Sequence, residues 1–155
     1  MEKLKLEDIE MELRPCAEAD IGFVYELMYN GLGKLFNKHT KEKWSRSKFK
    51  KTFNPNKITV FEHEDMPIGF IHLDKSGEEV YCGGLHLSED YQNKGIGRAI
   101  LNYLFSKYIK EGYKFLTGKV FKNNRNSISL MKKTGFIFEG DIPKENSYFV
   151  RRTLA

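Results

Sequence analysis

Between Val80 and Tyr108 the apolar period of the chain changes once, and the change falls on glycines. Glu79-Val80-Tyr81-Cys82-Gly83-Gly84-Leu85-His86-Leu87 has the β-branched and aromatic character of a strand. From Ile96 onward, Ile96, Ile100, Leu104 and Tyr108 recur every four residues, Leu101 and Phe105 widen the stripe, and Gly112 stops it. That pattern predicts a helix of roughly fourteen residues. The join, Ser88-Glu89-Asp90-Tyr91-Gln92-Asn93-Lys94-Gly95-Ile96-Gly97-Arg98, carries two glycines and two cations. A strand that hands over to a helix through glycines points to an α/β chain. It also leaves the first amides of the helix facing the turn, without acceptors of their own.

The flanking sequence supplies more elements. Met11-Glu12-Leu13-Arg14-Pro15 reads as a strand ended by proline, and Asp20 as the cap of a helix with Ile21, Val24, Tyr25 and Met28 on one face and a stop near Asn30-Gly31. A second helical segment spans Thr40 to Phe53. Strands follow at Lys57–Phe61 and Ile68–Leu73, joined by a turn at Glu64-Asp65-Met66-Pro67. A second hairpin turns at Lys75-Ser76-Gly77-Glu78 into the Glu79–Leu87 strand. With Ser76-Gly77 at its centre, His72 faces Tyr81; Ile71, Leu73, Val80 and Cys82 then share an apolar face, with His72, Asp74, Glu79 and Tyr81 on the other. Gly83-Gly84 predicts a bulge or a close backbone approach. Beyond the long helix come a strand at Phe115–Val120, a short helix from Asn126 to Thr134 stopped by Gly135, and strands at Phe136–Phe138 and Tyr148–Val150. The order describes a mixed α/β sheet with helices on its faces, and residues 1–155 read as one domain.

Composition removes several function classes. The 155 residues are 40% hydrophobic and 14% aromatic, enough to bury a core. MEKLKLEDIE has no uninterrupted apolar stretch, and neither a signal peptide nor a membrane span is read anywhere, so the expectation is a cytoplasmic protein without membrane partners. Cys16 and Cys82 form no Cys-x-x-Cys pair, and His39, His63, His72 and His86 show no metal-ligand spacing, although His63 lies beside Glu62 and Glu64; no metal is expected. The net charge of +5 favours an anionic partner.

A glycine turn opening a helix gathers N–H groups toward one point and adds the positive end of the helix dipole, an arrangement that binds phosphate. Lys94 and Arg98 add full charges. The dinucleotide fingerprint does not fit, because its third small residue is replaced by Ile100 and hairpins rather than a βαβ unit precede it. The P-loop pattern is absent.

Gln92-x-x-Gly95-x-Gly97 after a strand and before an amphipathic helix resembles the acetyl-CoA pyrophosphate loop of the GNAT acyltransferase superfamily. Asn124-x-x-Ser127-x-x-x-Met131-x-x-x-Gly135-Phe136 is similar to the superfamily's second segment, N-x-x-A-x-x-x-Y-x-x-x-G-F. The resemblance implies the α+β fold of that family: a mixed, mostly antiparallel sheet of about six or seven strands, splayed at its centre and flanked by about four helices. It implies acetyl-CoA as cosubstrate. The loop Gln92, Asn93, Lys94, Gly95, Ile96, Gly97 and Arg98 would hold the pyrophosphate. The backbone of the Leu85-His86-Leu87 segment would pair with the pantetheine arm and the thioester carbonyl, with Asn124, Ser127 and Met131 beside that arm.

The implied reaction is direct attack of a primary amine, on a small molecule or a protein, at the thioester. Two positions depart from the family pattern. Where many members place a glutamate base, this chain has Tyr81, whose ordinary pKa near 10 makes it a poor base at neutral pH. His72, of the residue type whose ordinary pKa is near 6.5, is the candidate base on the predicted hairpin face, with Glu79 next. Where the family places an acidic tyrosine stands Met131, which cannot donate a proton; Tyr148 or Tyr81 are the alternatives. The acceptor would be set by Ile21–Phe53, which offers Tyr25, Tyr29, Phe36, His39 and Trp44.

A non-catalytic acyl-CoA-binding module is the competing reading, motivated by those two departures. Nucleic-acid binding through Lys41–Lys51 is disfavoured, because the cations spread around the helix instead of lining one face. A homodimer stays open.

Overall fold

The computed structural model describes residues 2–6, 9–30 and 46–154. Eight strands and four α-helices are present among them: β1 Glu2–Leu6, β2 Ile9–Pro15, α1 Ile21–Met28, α2 Arg46–Thr52, β3 Ile58–His63, β4 Met66–Ser76, β5 Glu79–Leu87, α3 Ile96–Lys110, β6 Phe115–Phe121, α4 Arg125–Lys133, β7 Ile137–Ile142 and β8 Ser147–Thr153. The strands are hydrogen-bonded in the order β1-β2-β3-β4-β5-β6-β8-β7, antiparallel except for β5 with β6 among the registered pairs. The chain divides into two compact units, Met1–His72 with Leu85–Gln92, and Leu73–Gly84 with Asn93–Ala155. Strands β4 and β5 each contribute to both.

The strand beyond the expected count is β1. Its sequence EKLKL alternates charge and apolar side chains, and pairing with β2 from Glu2↔Leu13 to Leu6↔Ile9 leaves Lys3 and Lys5 exposed at the sheet edge. Charged edges of this kind block further strand addition, and they also dilute the apolar signal by which a strand is read.

In the first unit, the β3–β4 hairpin turns on Glu64 and Asp65, both at positive φ (52° and 63°), in a two-residue loop that pairs His63 with Met66. Met66 and Pro67 therefore belong to β4. Val24, Ile58, Val60, Phe70 and Cys16 form a buried cluster on which Phe23, Leu27, Met28, Phe49 and Phe53 pack while partly exposed. The end of β2 is tied to the start of α1 by Arg14, which donates from Nη1 and Nη2 to the two Asp20 carboxylate oxygens at 2.7 and 2.8 Å, while its Nε faces Glu62 at 3.1 Å. Asp20 does not cap α1 with its side chain as expected; its carboxylate turns back to Arg14 and to the Ala17 N–H at 2.8 Å. Of the expected helix Thr40–Phe53, α2 supplies Arg46–Thr52, and the earlier part lies outside the described residues, as does Gly31.

In the second unit α3 lays Ile96, Ile100, Leu101, Leu104, Phe105 and Tyr108 into the core with Val80, Leu116, Val120, Phe136 and Val150. The β4–β5 turn is Gly77-Glu78, with Gly77 at φ +60°, one residue later than the centre expected. The register counted from Ser76-Gly77, including His72 opposite Tyr81, therefore does not apply.

The Arg14 pairing holds the Asp20 carboxyl below its ordinary value. A lowered folded value stabilises the fold above the unfolded pKa of about 3.9, and that stability is lost as pH falls through the folded value. Asp20→Asn is expected to cost about 2 kcal/mol at pH 7. The difference from the native chain should shrink below about pH 4, as measured by denaturant unfolding across pH.

Candidate functional site

The site is built by a topological requirement. β5 and β6 run parallel, from Glu79↔Phe115 to Cys82↔Gly118, and parallel neighbours need a crossover of a dozen residues or more. Here the crossover carries α3, which follows β5 in the chain through the connection at residues 88–95. The ladder ends at Cys82 and Gly118, immediately before Gly83-Gly84, where a bulge or close approach was expected. A Cβ on Gly118 would lie 3.1 Å from the Cys82 carbonyl oxygen, so the two strands are in close contact as they cease to pair.

The connection after β5 is fastened in stages. The Ser88 N–H donates to the Ile68 carbonyl at 2.8 Å, Glu89–Tyr91 make one 3₁₀ turn, and the Gln92 amide Nε2 donates to the Leu87 carbonyl at 2.9 Å. The His63 ring stands edge-on to Tyr91, 5.9 Å between centroids, while its Nδ1 meets the Glu10 carbonyl oxygen at 3.1 Å. Then the backbone reverses hand twice, at Asn93 (φ +60°) and Gly95 (φ +80°). The Ala99 N–H donates to the Gly95 carbonyl at 3.1 Å in the first helical hydrogen bond, so the amides of Ile96, Gly97 and Arg98 precede the ladder of the helix. The Ile96 side chain is buried and pins this turn to the core, while Asn93, Lys94, Gly95 and Arg98 are exposed. Directed amides, a positive helix end and two cations are the combination of features that suits an anion.

The second motif has a structural use of its own. Asn124 Oδ1 accepts the Ser127 N–H at 3.2 Å and so caps α4. One lone pair of its carboxamide oxygen is thus used by the helix, and its NH₂ group takes no part in that cap. Gly135, at φ +88°, ends the helical segment, and the Phe136 N–H donates to the Met131 carbonyl at 3.0 Å. Phe136 is buried beside Phe105, ring centroids 5.9 Å apart. Met131 is half-buried.

Among the candidate proton-transfer groups, Tyr81 is half-buried, and burial followed by the neighbouring Cys82 and Glu145 pushes its phenol up. It therefore keeps its proton at neutral pH and is chemically a donor. Glu79 and His72 are half-buried, Glu79 paired with Phe115 and His72 with Ile58. His86 is the residue whose side chain the sequence undervalued. Its ring stacks on Phe70, 5.0 Å between centroids and 28° between planes, and burial lowers its pKa to about 4. A Cβ on Gly69 would lie 2.5 Å from the His86 carbonyl oxygen, so only glycine lets β4 approach β5 here. Gly69 inside an apolar strand was the available signal.

Within the first unit the structure gathers His86, Leu87 and Gln92; within the second, Asn93 to Arg98 form one continuous turn, and Asn124 and Ser127 one cap. Of the acceptor residues, Tyr25 and Tyr29 stack at 6.1 Å and Tyr25 lies 5.3 Å from Phe49, while Phe36, His39 and Trp44 lie outside the described residues. Among the described residues no group of three or more His, Cys, Asp or Glu could hold a metal ion, and no helix is long and apolar enough to cross a membrane. Gly95→Ala places a Cβ in the left-handed region and is expected to cost about 1 to 2 kcal/mol, read by thermal unfolding.

Residues 23–136 match the family model described as the acetyltransferase (GNAT) family. No curated protein matches the sequence. Ard1 from Thermoplasma volcanium superposes with a TM-score of 0.73 at 19% identity, over 94% of this chain and 98% of its own. The PaiA N-acetyltransferase from Thermoplasma acidophilum, in complex with coenzyme A, gives 0.74 at 18% identity over 92% and 98%. A GNAT-family acetyltransferase from Bacillus anthracis gives 0.72 at 17% over 99% of both chains. These structures share the fold, and the match over residues 23–136 establishes that the chain belongs to the GNAT acetyltransferase family.

Proposed function

We propose that the chain is an acetyl-CoA-dependent N-acetyltransferase acting on a primary amine of a small molecule or a protein. The observation that carries this reading is the α3 N-terminus, whose leading amides at Ile96, Gly97 and Arg98 follow a left-handed Gly95 in the connection between β5 and α3. Those amides, with Lys94 and Arg98, take the pyrophosphate of coenzyme A. The peptide groups of Leu85 and Leu87 pair with the pantetheine arm and orient the thioester carbonyl. The Asn124 NH₂ group and Ser127 face the arm, with Met131 packed beside it.

In the reaction, the amine lone pair attacks the thioester carbon, the C–N bond forms, and the C–S bond breaks as the carbonyl re-forms. The nitrogen loses one proton and the departing sulfur gains one. Backbone N–H groups near Leu85 stabilise the developing oxyanion. His72 takes the nitrogen's proton, directly or through water, and Glu79 is the second candidate. Tyr81 is the proton donor to the thiolate: a phenol with a raised pKa holds its proton until a strong base appears beside it. This exchanges the role expected of a base at that position for that of an acid.

The competing reading, an acyl-CoA-binding module without turnover, is favoured by Met131 in place of a proton donor. Release of free thiol from acetyl-CoA, followed with tyramine, spermidine, glucosamine and a short peptide, decides between them. Turnover on any of these amines is expected. Binding of acetyl-CoA with no thiol release on a broad amine panel supports the module. His72→Ala is expected to lower kcat about 100-fold and Tyr81→Phe about ten-fold; unaltered turnover in either removes that residue from its role.

A further inference from the structure

His86 occupies the middle of the segment proposed to hold the thioester, between Leu85 and Leu87, yet its side chain has no part in that reading. Its Nε2 is buried and has no hydrogen-bond partner among the described residues. A buried polar atom left unpaired is destabilising, and a leucine or phenylalanine on the Phe70 ring would avoid the penalty. The imidazole is a liability to the fold unless something else uses it. Burial holds its pKa at about 4, so the ring is neutral at pH 7 and offers one nitrogen as an acceptor.

Phe70, on which the ring stacks, belongs to the cluster covered by Phe23, Leu27 and Met28 of α1 and by Phe49 and Phe53, none of them fully buried. The cover is therefore a layer of partly exposed apolar side chains on two short helical segments. Such surroundings penalise an ammonium ion and accept a neutral amine. Attack on a thioester requires that neutral form.

Resting on the acetyltransferase reading, we propose that His86 Nε2 is the hydrogen-bond acceptor for the N–H of the incoming amine, and that it selects the amine in its unprotonated form. The amine enters by displacing part of the apolar cover, donates one N–H to the imidazole, and keeps its lone pair for the thioester carbon. His86 binds the acceptor; it takes no proton in this step.

The test compares the full-length native chain with His86→Phe and His86→Gln, using the amine of the panel above that gives the fastest thiol release. His86→Phe is expected to unfold at the same or a higher temperature and to keep the KM for acetyl-CoA within about two-fold. Its kcat/KM for the amine should fall by about ten-fold or more. His86→Gln, which restores a hydrogen-bonding group at the same reach, is expected to recover most of that loss. The inference is overturned if His86→Phe keeps the native kcat/KM for the amine. It is overturned equally if the variant loses stability and efficiency with both substrates together, or if glutamine fares no better than phenylalanine. A native chain that releases no thiol with any amine overturns the acetyltransferase reading itself, a result distinct from these.

Discussion

The parallel pairing of β5 with β6 is the constraint from which the site follows. Parallel neighbours cannot be joined by a tight turn, so the chain must leave the C-terminal end of β5, travel back along the sheet, and re-enter at Phe115. A helix is the compact way to make that return while satisfying backbone polar groups. The helix of that crossover begins with three amides that have no acceptor within it. The glycine turn proposed to hold the pyrophosphate is therefore a consequence of connectivity. The glycine at 95 supplies the left-handed conformation needed to enter the helix, and Ile96 anchors it in the core.

Several residues that carry the family resemblance also do ordinary structural work. Asn124 caps α4, Gly135 stops its helical segment, Phe136 fills the core beside Phe105, and Gln92 fastens the loop to Leu87. The spacing of the second motif is thus partly the spacing of a short helix with its cap and its stop. Residues with two duties are poor witnesses to function by themselves. The first turn of α3 is the better witness, because amides that precede the hydrogen-bond ladder of the helix, beside Lys94 and Arg98, have no acceptor within it.

Much of this was legible along the chain. The β5 strand, the α3 stripe from Ile96 to Tyr108 and the glycine turn between them came from periodicity, because a helix and a strand bury their apolar residues at different spacings. The proline end of β2 and the glycine stops after α3 and α4 followed from backbone chemistry. Less legible were β1, whose charges hide an edge strand, and the β4–β5 turn, where a shift of one residue changes every pairing counted from it. Asp20 also misled: its position before α1 suits a cap, but Arg14, near the end of β2, is the stronger partner for its carboxylate.

By itself, the sequence determined the succession of elements from β2 onward and the place of the glycine turn before α3, since both depend on local spacing, glycine conformation and charge. Tertiary structure decided the character of the titratable side chains. The main cause of both the raised phenol of Tyr81 and the lowered imidazole of His86 is burial, which neighbours along the chain do not show. Each is set first by removal from water, with Cys82 and then the distant Glu145 adding to the shift of Tyr81. Desolvation is a property of packing, and packing exists only once the strands have found their partners.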